Sequence, residues 1–244
     1  MKGKNLLIPI LLVTFLVSMS LVAYSGPIGI ENIFRQATAI QDESFKNNIV
    51  AEVNGEIITK ADFIVTVEQV KMNLTNMQKW ASEKDNPTAE FNKKFLEIMK
   101  KYSIEDIAFA TAIKNTALFA DAKNKDMVPS GEAVQKQVKS IRDQIDDTNM
   151  PEEVNLLISI VGKNEYWDEI VPRGQKQFSA IANLKTEIMT NSSSQVDVNT
   201  LWNNYEQDIV NQVKIVVVDD SGLDIDIIRA LQYLNEYYDF IITQ

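Results

Sequence analysis

The side chains with the widest scope for chemistry in this 244-residue sequence are carboxylates, and the densest group is Asp219, Asp220, Asp224 and Asp226. A calcium loop needs oxygen ligands at fixed loop positions, ending in a bidentate carboxylate, and residues 219–226 match no such loop. A solvated turn leading into a helix start suits them better, because acidic side chains favour helix N-termini. Glu152-Glu153 and the trio Glu165, Asp168 and Glu169 are further acid–base pairs in type, but nothing in their spacing makes them converge. The sequence has no histidine, which removes the commonest general base and the commonest transition-metal ligand together. It has no cysteine either, which excludes disulfides, thiolate chemistry and any lipid attached through cysteine. Its 8 glycines include no phosphate-cradling loop. The expectation is no catalysis, no cofactor and no metal.

What remains is apolar contact. Met72, Met77, Trp80, Phe91, Phe95, Met99, Tyr102, Trp167 and Phe178 are the residues from which a groove for apolar segments would be built. Flexible thioethers and flat rings adapt to varied partners. Most such residues serve simply as core. Met77 and Trp80 at one helix end, with Phe91 and Phe95 opening the next helix, are the candidates for an exposed binding surface.

These residues are positioned by elements that the pattern defines. At 49–53 a β-prone run (Ile49, Val50, Val53) meets Asn54-Gly55, the dipeptide that supplies the positive φ angles of a tight turn. Ile57-Ile58 form a second strand, and Thr59 stands three residues before Asp62, the spacing of a reciprocal helix cap. Behind it Phe63, Val67, Val70, Leu74, Met77 and Ala81 fall on one helical stripe. Asn86-Pro87 interrupts, and Phe91, Phe95, Ile98 and Met99 mark the next helix. Ser103 to Asp106 caps a third, through Ile107, Thr111, Leu118 and Ala122. Val134, Val138, Ile141 and Ile145 line a fourth, and Pro151 suits the start of another, stopping at Gly162. Tyr166, Trp167, Ile170, Phe178, Ile181 and Ile188 trace a long helix with Pro172 as its kink. A polar loop at 191–195 precedes a helix on Val198, Leu201, Trp202, Tyr205 and Ile209. The fold class is therefore mainly α with a small antiparallel β-sheet.

Composition sets the bounds. Apolar content of 45% and charged content of 24% are ordinary for a globular chain of one or two domains. The net charge of −10 disfavours nucleic acid, whose phosphates need a basic face. At the N-terminus Lys2 and Lys4 precede an apolar stretch over residues 6–24. Basic flank and apolar run read as an export signal. Ala23-Tyr24-Ser25 suits cleavage near Ser25, while the 19-residue run is about long enough to span a bilayer and favours an uncleaved anchor with the lysines inside. Residues 1–25 are thus signal or anchor, and 26–48 a linker. Either way the folded part is expected beyond the membrane.

The pattern Val50, Ala51, Val53, Asn54, Gly55, Ile58 and Thr59 resembles the opening of the SurA/PrsA family of exported chaperones and foldases. The runs 118–122, 125–130 with Val134, and 162–169 are similar to segments that follow in that family, and 197–205 running into 213–218 resembles the point where its members pass into a parvulin isomerase domain. The resemblance implies a multi-helix SurA N-terminal-like chaperone domain over 49–218. A parvulin module would need on the order of a hundred residues and is expected to carry histidines. Only 26 residues follow Val218, none of them histidine. The expectation is that 213–218 joins the hairpin as a strand and that 219–244 adds a last helix on Leu223, Ile227, Leu231, Leu234 and Tyr238, packed on the same domain. The implied function is ATP-independent holding of unfolded or newly translocated polypeptides, without isomerase activity, outside the cell membrane. The alternative is a membrane-tethered helical module that binds one dedicated partner.

Overall fold

The computed structural model describes residues 49–145, 150, 158, 163–191, 197–218 and 225–243. The expected elements at the N-terminus, the linker, the helix beginning at Pro151 and the acidic turn after Val218 fall wholly or mainly outside those residues. β1 (Ile49–Val53) and β2 (Glu56–Thr59) form an antiparallel hairpin. Asn54 and Gly55 hold φ of 52° and 86°, the paired positive angles of a two-residue turn that follows strand twist. α1 (Lys60–Ser82) starts directly behind Thr59; the Asp62 side chain lies outside the described atoms, so the expected reciprocal cap is not among the described contacts.

α2 (Ala89–Met99) and α3 (Ile104–Asn124) follow. The start of α3 is the capping box anticipated at Ser103: its hydroxyl accepts from the Asp106 N–H at 3.0 Å, and the Asp106 carboxylate accepts from the Ser103 N–H at 2.9 Å. α3 is the axis of the molecule. Its alanines at 108, 110, 112, 117, 120 and 122 are all buried, so neighbours approach it from several sides, and it packs against α1, the hairpin and the three helices that close the chain. Burial on several faces, with the charges confined to the ends and to Lys114, is what a central helix needs.

α4 (Gly131–Gln144) is capped by Ser130. Beyond the next described gap, a helical turn (Lys163–Glu165) widens into a π-helical segment (Tyr166–Ile170) and then becomes α5 (Val171–Asn191). The π-helical segment lies directly before Pro172, where the sequence suggested a kink. Proline has no N–H to bond the carbonyl four residues back and its ring crowds that carbonyl, so the preceding turn opens to the wider ladder. α6 (Val198–Asn211) is capped by the Asp197 carboxylate.

The strand expected over 213–218 is present as β3 (Ile215–Val217), antiparallel to β1 in a sheet of order β2-β1-β3. Asn54 ties the turn to it: its N–H donates to the Lys214 carbonyl at 3.0 Å, and its side-chain oxygen accepts from the Lys214 N–H at 2.9 Å. α7 (Ile227–Ile242), capped by Asp226, packs against α2, α3 and α6. Strand β3 and helix α7 share a core with the hairpin although about 160 residues separate them in sequence. A second apolar cluster joins α4 to the π-segment, and a third joins the C-terminal half of α3 to α5 and α6.

Candidate functional site

The four aromatic and methionine candidates do not form one open groove. Phe95 is buried, 7% exposed, and lies between Phe240, whose ring stacks at 5.6 Å, and Tyr237 at 5.7 Å. Phe91 is 39% exposed and rests on Phe240 at 5.0 Å. Helix α7 has therefore closed over this end of α2. The physical cause is in its own sequence, where Tyr237, Phe240 and Ile241 form an apolar face that the core accepts. Met77 is partly buried against the same core. Trp80 stays 38% exposed.

The open apolar site is elsewhere. A surface cleft of about 470 Å³ lies between α1, α2 and the start of α3, walled by Leu74, Leu96, Met99, Tyr102, Ile104 and Ile107, with Gln78 and Lys100 at its rim. Leu96, Met99 and Ile107 in its wall are buried, so the apolar surface it presents comes from Leu74, Tyr102 and Ile104. Trp80 does not belong to it: at 100° per residue it points about 160° around α1 from Gln78. Ion pairs beside the cleft fix the turn between α2 and α3. Asp106, nearly buried, accepts from the Arg229 Nε at 2.8 Å, and Arg229 also donates to the Lys101 carbonyl at 2.7 Å and lies 5.4 Å from the Tyr102 ring. Lys101 meets Glu236 at 2.7 Å. Burial alone would raise the Asp106 carboxyl; the hydrogen bonds from Arg229 and Ser103 outweigh it and hold the group below its usual range. Helix α7 thus clamps the turn that shapes the cleft.

A second apolar surface lies on the outer face of the sheet. Glu52 pairs across the strands with Ile57 on one side and Val216 on the other. Those two are 51% and 61% exposed.

The polar clusters tie helices together. Tyr205 donates to the Asp121 carboxylate and accepts from the Lys125 ammonium, and Lys125 also meets Asp121 at 3.2 Å. Burial and the hydrogen bond to Asp121 push the Tyr205 phenol up. Burial disfavours the Lys125 ammonium, but its bonds to Tyr205 and Asp121 outweigh that and raise it too. The trio pins α6 to α3. Gln137, Gln175 and Ser179 form a small network that joins α4 to α5. Burial pushes the Tyr166 phenol up to about 12, which keeps it neutral. Among the described residues, no three carboxylates gather closely enough to hold a metal ion, and no helix is long and apolar enough to cross a membrane.

Met99 and Tyr102, both named as groove residues from the sequence, line the cleft, whereas Met77, Trp80, Phe91 and Phe95 do not; Leu96 was passed over because it lies off the stripe of Phe91, Phe95, Ile98 and Met99. The signal was available: an apolar residue next to Phe95 gives α2 two buried flanks, one toward α7 and one toward α1 and α3. Comparison with protein-family models, with curated proteins and with solved structures finds no match to this chain.

Proposed function

We propose that the chain is an exported, ATP-independent holding module for unfolded or newly translocated polypeptides, of the SurA/PrsA type, with no isomerase chemistry of its own. The observation that carries this reading is the apolar cleft of about 470 Å³ open to solvent beside α1, α2 and α3. A client segment places a large apolar side chain there. Burying one such side chain yields about 1.5–3 kcal/mol, and ordering the segment consumes part of that. One anchor is therefore weak and quickly reversible. Further apolar ground at Trp80 and on the sheet face gives a long unfolded chain several weak contacts, and it is held by their combination. Release needs no nucleotide because no single contact is strong. In this reading the N-terminal apolar run directs the chain out of the cell and tethers it to the outer face of the membrane.

The open sheet face around Glu52 also suits a second reading, a tethered module with one dedicated partner that covers Ile57 and Val216. Light scattering from lysozyme aggregating under reductant separates the two. The chain has no cysteine, so the reductant leaves it untouched. Suppression at near-stoichiometric ratios without nucleotide is the expected result. Unchanged aggregation in the presence of the folded chain overturns the holding reading in favour of the dedicated partner.

A further inference from the structure

We propose that Asn54 is a site of spontaneous covalent modification, a conversion of asparagine to isoaspartate that β3 holds off and that proceeds when this strand leaves the sheet. Asn54-Gly55 is the only Asn-Gly dipeptide in the sequence. The amide carbon of an asparagine is open to attack by the next backbone nitrogen, and glycine leaves that nitrogen unscreened because it has no Cβ. The space that a Cβ on Gly55 would face is empty, with nothing beyond the neighbouring residues within 4 Å. Both residues are exposed, so water reaches them. The reacting groups are in place, and the fold is what opposes them.

The step needs no co-reactant other than water. The Gly55 nitrogen gives its proton to hydroxide and bonds to the Asn54 Cγ. The Cγ–Nδ2 bond breaks, the amide nitrogen takes a proton from water and leaves as ammonia, and a five-membered succinimide closes. Water then opens one of the two ring C–N bonds. Opening at Cγ gives aspartate, with the main chain as before. Opening at the main-chain carbonyl gives isoaspartate, in which the chain runs through the side chain, is longer by the Cβ methylene and carries the former carbonyl as a free carboxylate.

Two features of the fold block ring closure. The φ angles of 52° and 86° belong to a mirror-image type I turn, whose first residue takes ψ of about 30°. That angle sets the Gly55 nitrogen nearly opposite the Asn54 Cβ across the Cα–C bond, whereas the ring needs the two eclipsed. The second feature is β3. Asn54 N–H donates to the Lys214 carbonyl at 3.0 Å and the Asn54 side-chain oxygen accepts from the Lys214 N–H at 2.9 Å, so backbone and side-chain amide are both held. Release of β3 frees them together. The strand is three residues long, and Ile215 and Val217 are only partly buried against the core, which puts its opening at the low-energy end of the fold. The two products then differ. Aspartate keeps an acceptor for the Lys214 N–H, whereas isoaspartate lengthens the turn and moves the acceptor, so β3 cannot return in register.

The test incubates the full chain in phosphatidylcholine vesicles in mildly alkaline buffer, native and unfolded in urea. Mass spectrometry follows the proteolytic peptide that contains Asn54, and enzymatic methylation identifies isoaspartate. Conversion in the native chain is expected to be about tenfold or more slower than in the unfolded chain, the ratio being set by how rarely the site opens. Lys214→Pro removes the N–H that holds the amide, at a position before the strand where proline is tolerated. Ile215→Ala loosens the packing of β3 and leaves both Asn54 bonds intact. Each variant is expected to speed conversion of the folded chain several-fold, and Ile215→Ala decides the matter if Lys214→Pro fails to fold. Hydrogen exchange on the aged chain is expected to show lost protection of the Val218 amide, which bonds the Val50 carbonyl, in molecules that carry isoaspartate. Equal rates in the native and unfolded chain overturn the protection. A folded Ile215→Ala chain that converts as slowly as the parent overturns β3 as the gate. Unchanged protection of the Val218 amide once isoaspartate has formed overturns the loss of the strand.

Discussion

Replacing Phe240 by alanine tests whether α7 closes the aromatic end of α2 as part of the core. Phe240 is partly buried against the main core, stacked on Phe95 at 5.6 Å and tilted against Phe91 at 5.0 Å. Truncation removes roughly 100 Å² of apolar contact, which at about 25 cal/mol per Å² amounts to about 2.5 kcal/mol. The two ring pairs add up to about 1 kcal/mol, and partial collapse of neighbours returns some of it. The net expectation is a loss of about 2–3 kcal/mol in urea unfolding followed by tryptophan fluorescence, with the slope of the transition unchanged. Because Phe95 would then face solvent, an anilinonaphthalene sulfonate dye should bind the folded variant more strongly than the parent. A loss below about 0.5 kcal/mol, the range of an ordinary surface substitution, with unchanged dye binding would refute the argument. It would mean that α7 rests on α2 without sealing it, and that Phe91 and Phe95 are available after all.

Three further outcomes follow from the geometry. Gly55→Ala should cost about 1 kcal/mol or more: the glycine holds φ of 86° and an added Cβ meets nothing within 4 Å, so the penalty is backbone strain alone and should appear in the same urea titration. The depressed Asp106 carboxyl contributes stability that is present above its ordinary titration range and is lost as pH falls through the lower folded value, so unfolding measured below about pH 4 should show an acid slope that Arg229→Gln flattens. Tyr238 is fully buried and its hydroxyl finds no partner among the described residues, so Tyr238→Phe should leave thermal stability unchanged or raise it; a drop of more than about 1 kcal/mol would reveal a partner for that hydroxyl.

The elements that were legible in the sequence are those with local causes. Asn54-Gly55 supplies its own turn, Ser103 and Asp106 close their own cap, and the stripe from Phe63 to Ala81 is a helix by spacing alone. The pairing of β3 with β1 was also legible, because an uncharged run of Ile215, Val216, Val217 and Val218 suits a strand and the hairpin needed a neighbour. The placement of the binding surface was not. Whether Phe91 and Phe95 are open depends on where α7 lands, and that is decided by contacts between residues nearly 150 positions apart. Trp80 and the cleft lie on different flanks of α1, a distinction that spacing contains but that has no meaning until the neighbours of α1 are known. The openness of the sheet face had the same source, since a strand apolar on both faces does not say which face another element will cover.

The central claim is that the chain recognises the unfolded state of a polypeptide rather than one folded surface. The most direct measurement is the affinity of the full chain for lysozyme in two forms of equal charge, native and reduced with its thiols amidomethylated, by fluorescence anisotropy of labelled lysozyme at physiological salt without nucleotide. The account predicts reversible binding of the unfolded form and none of the native form. Equal binding of both would reduce the interaction to charge attraction, and no binding of either by the folded chain would contradict the account.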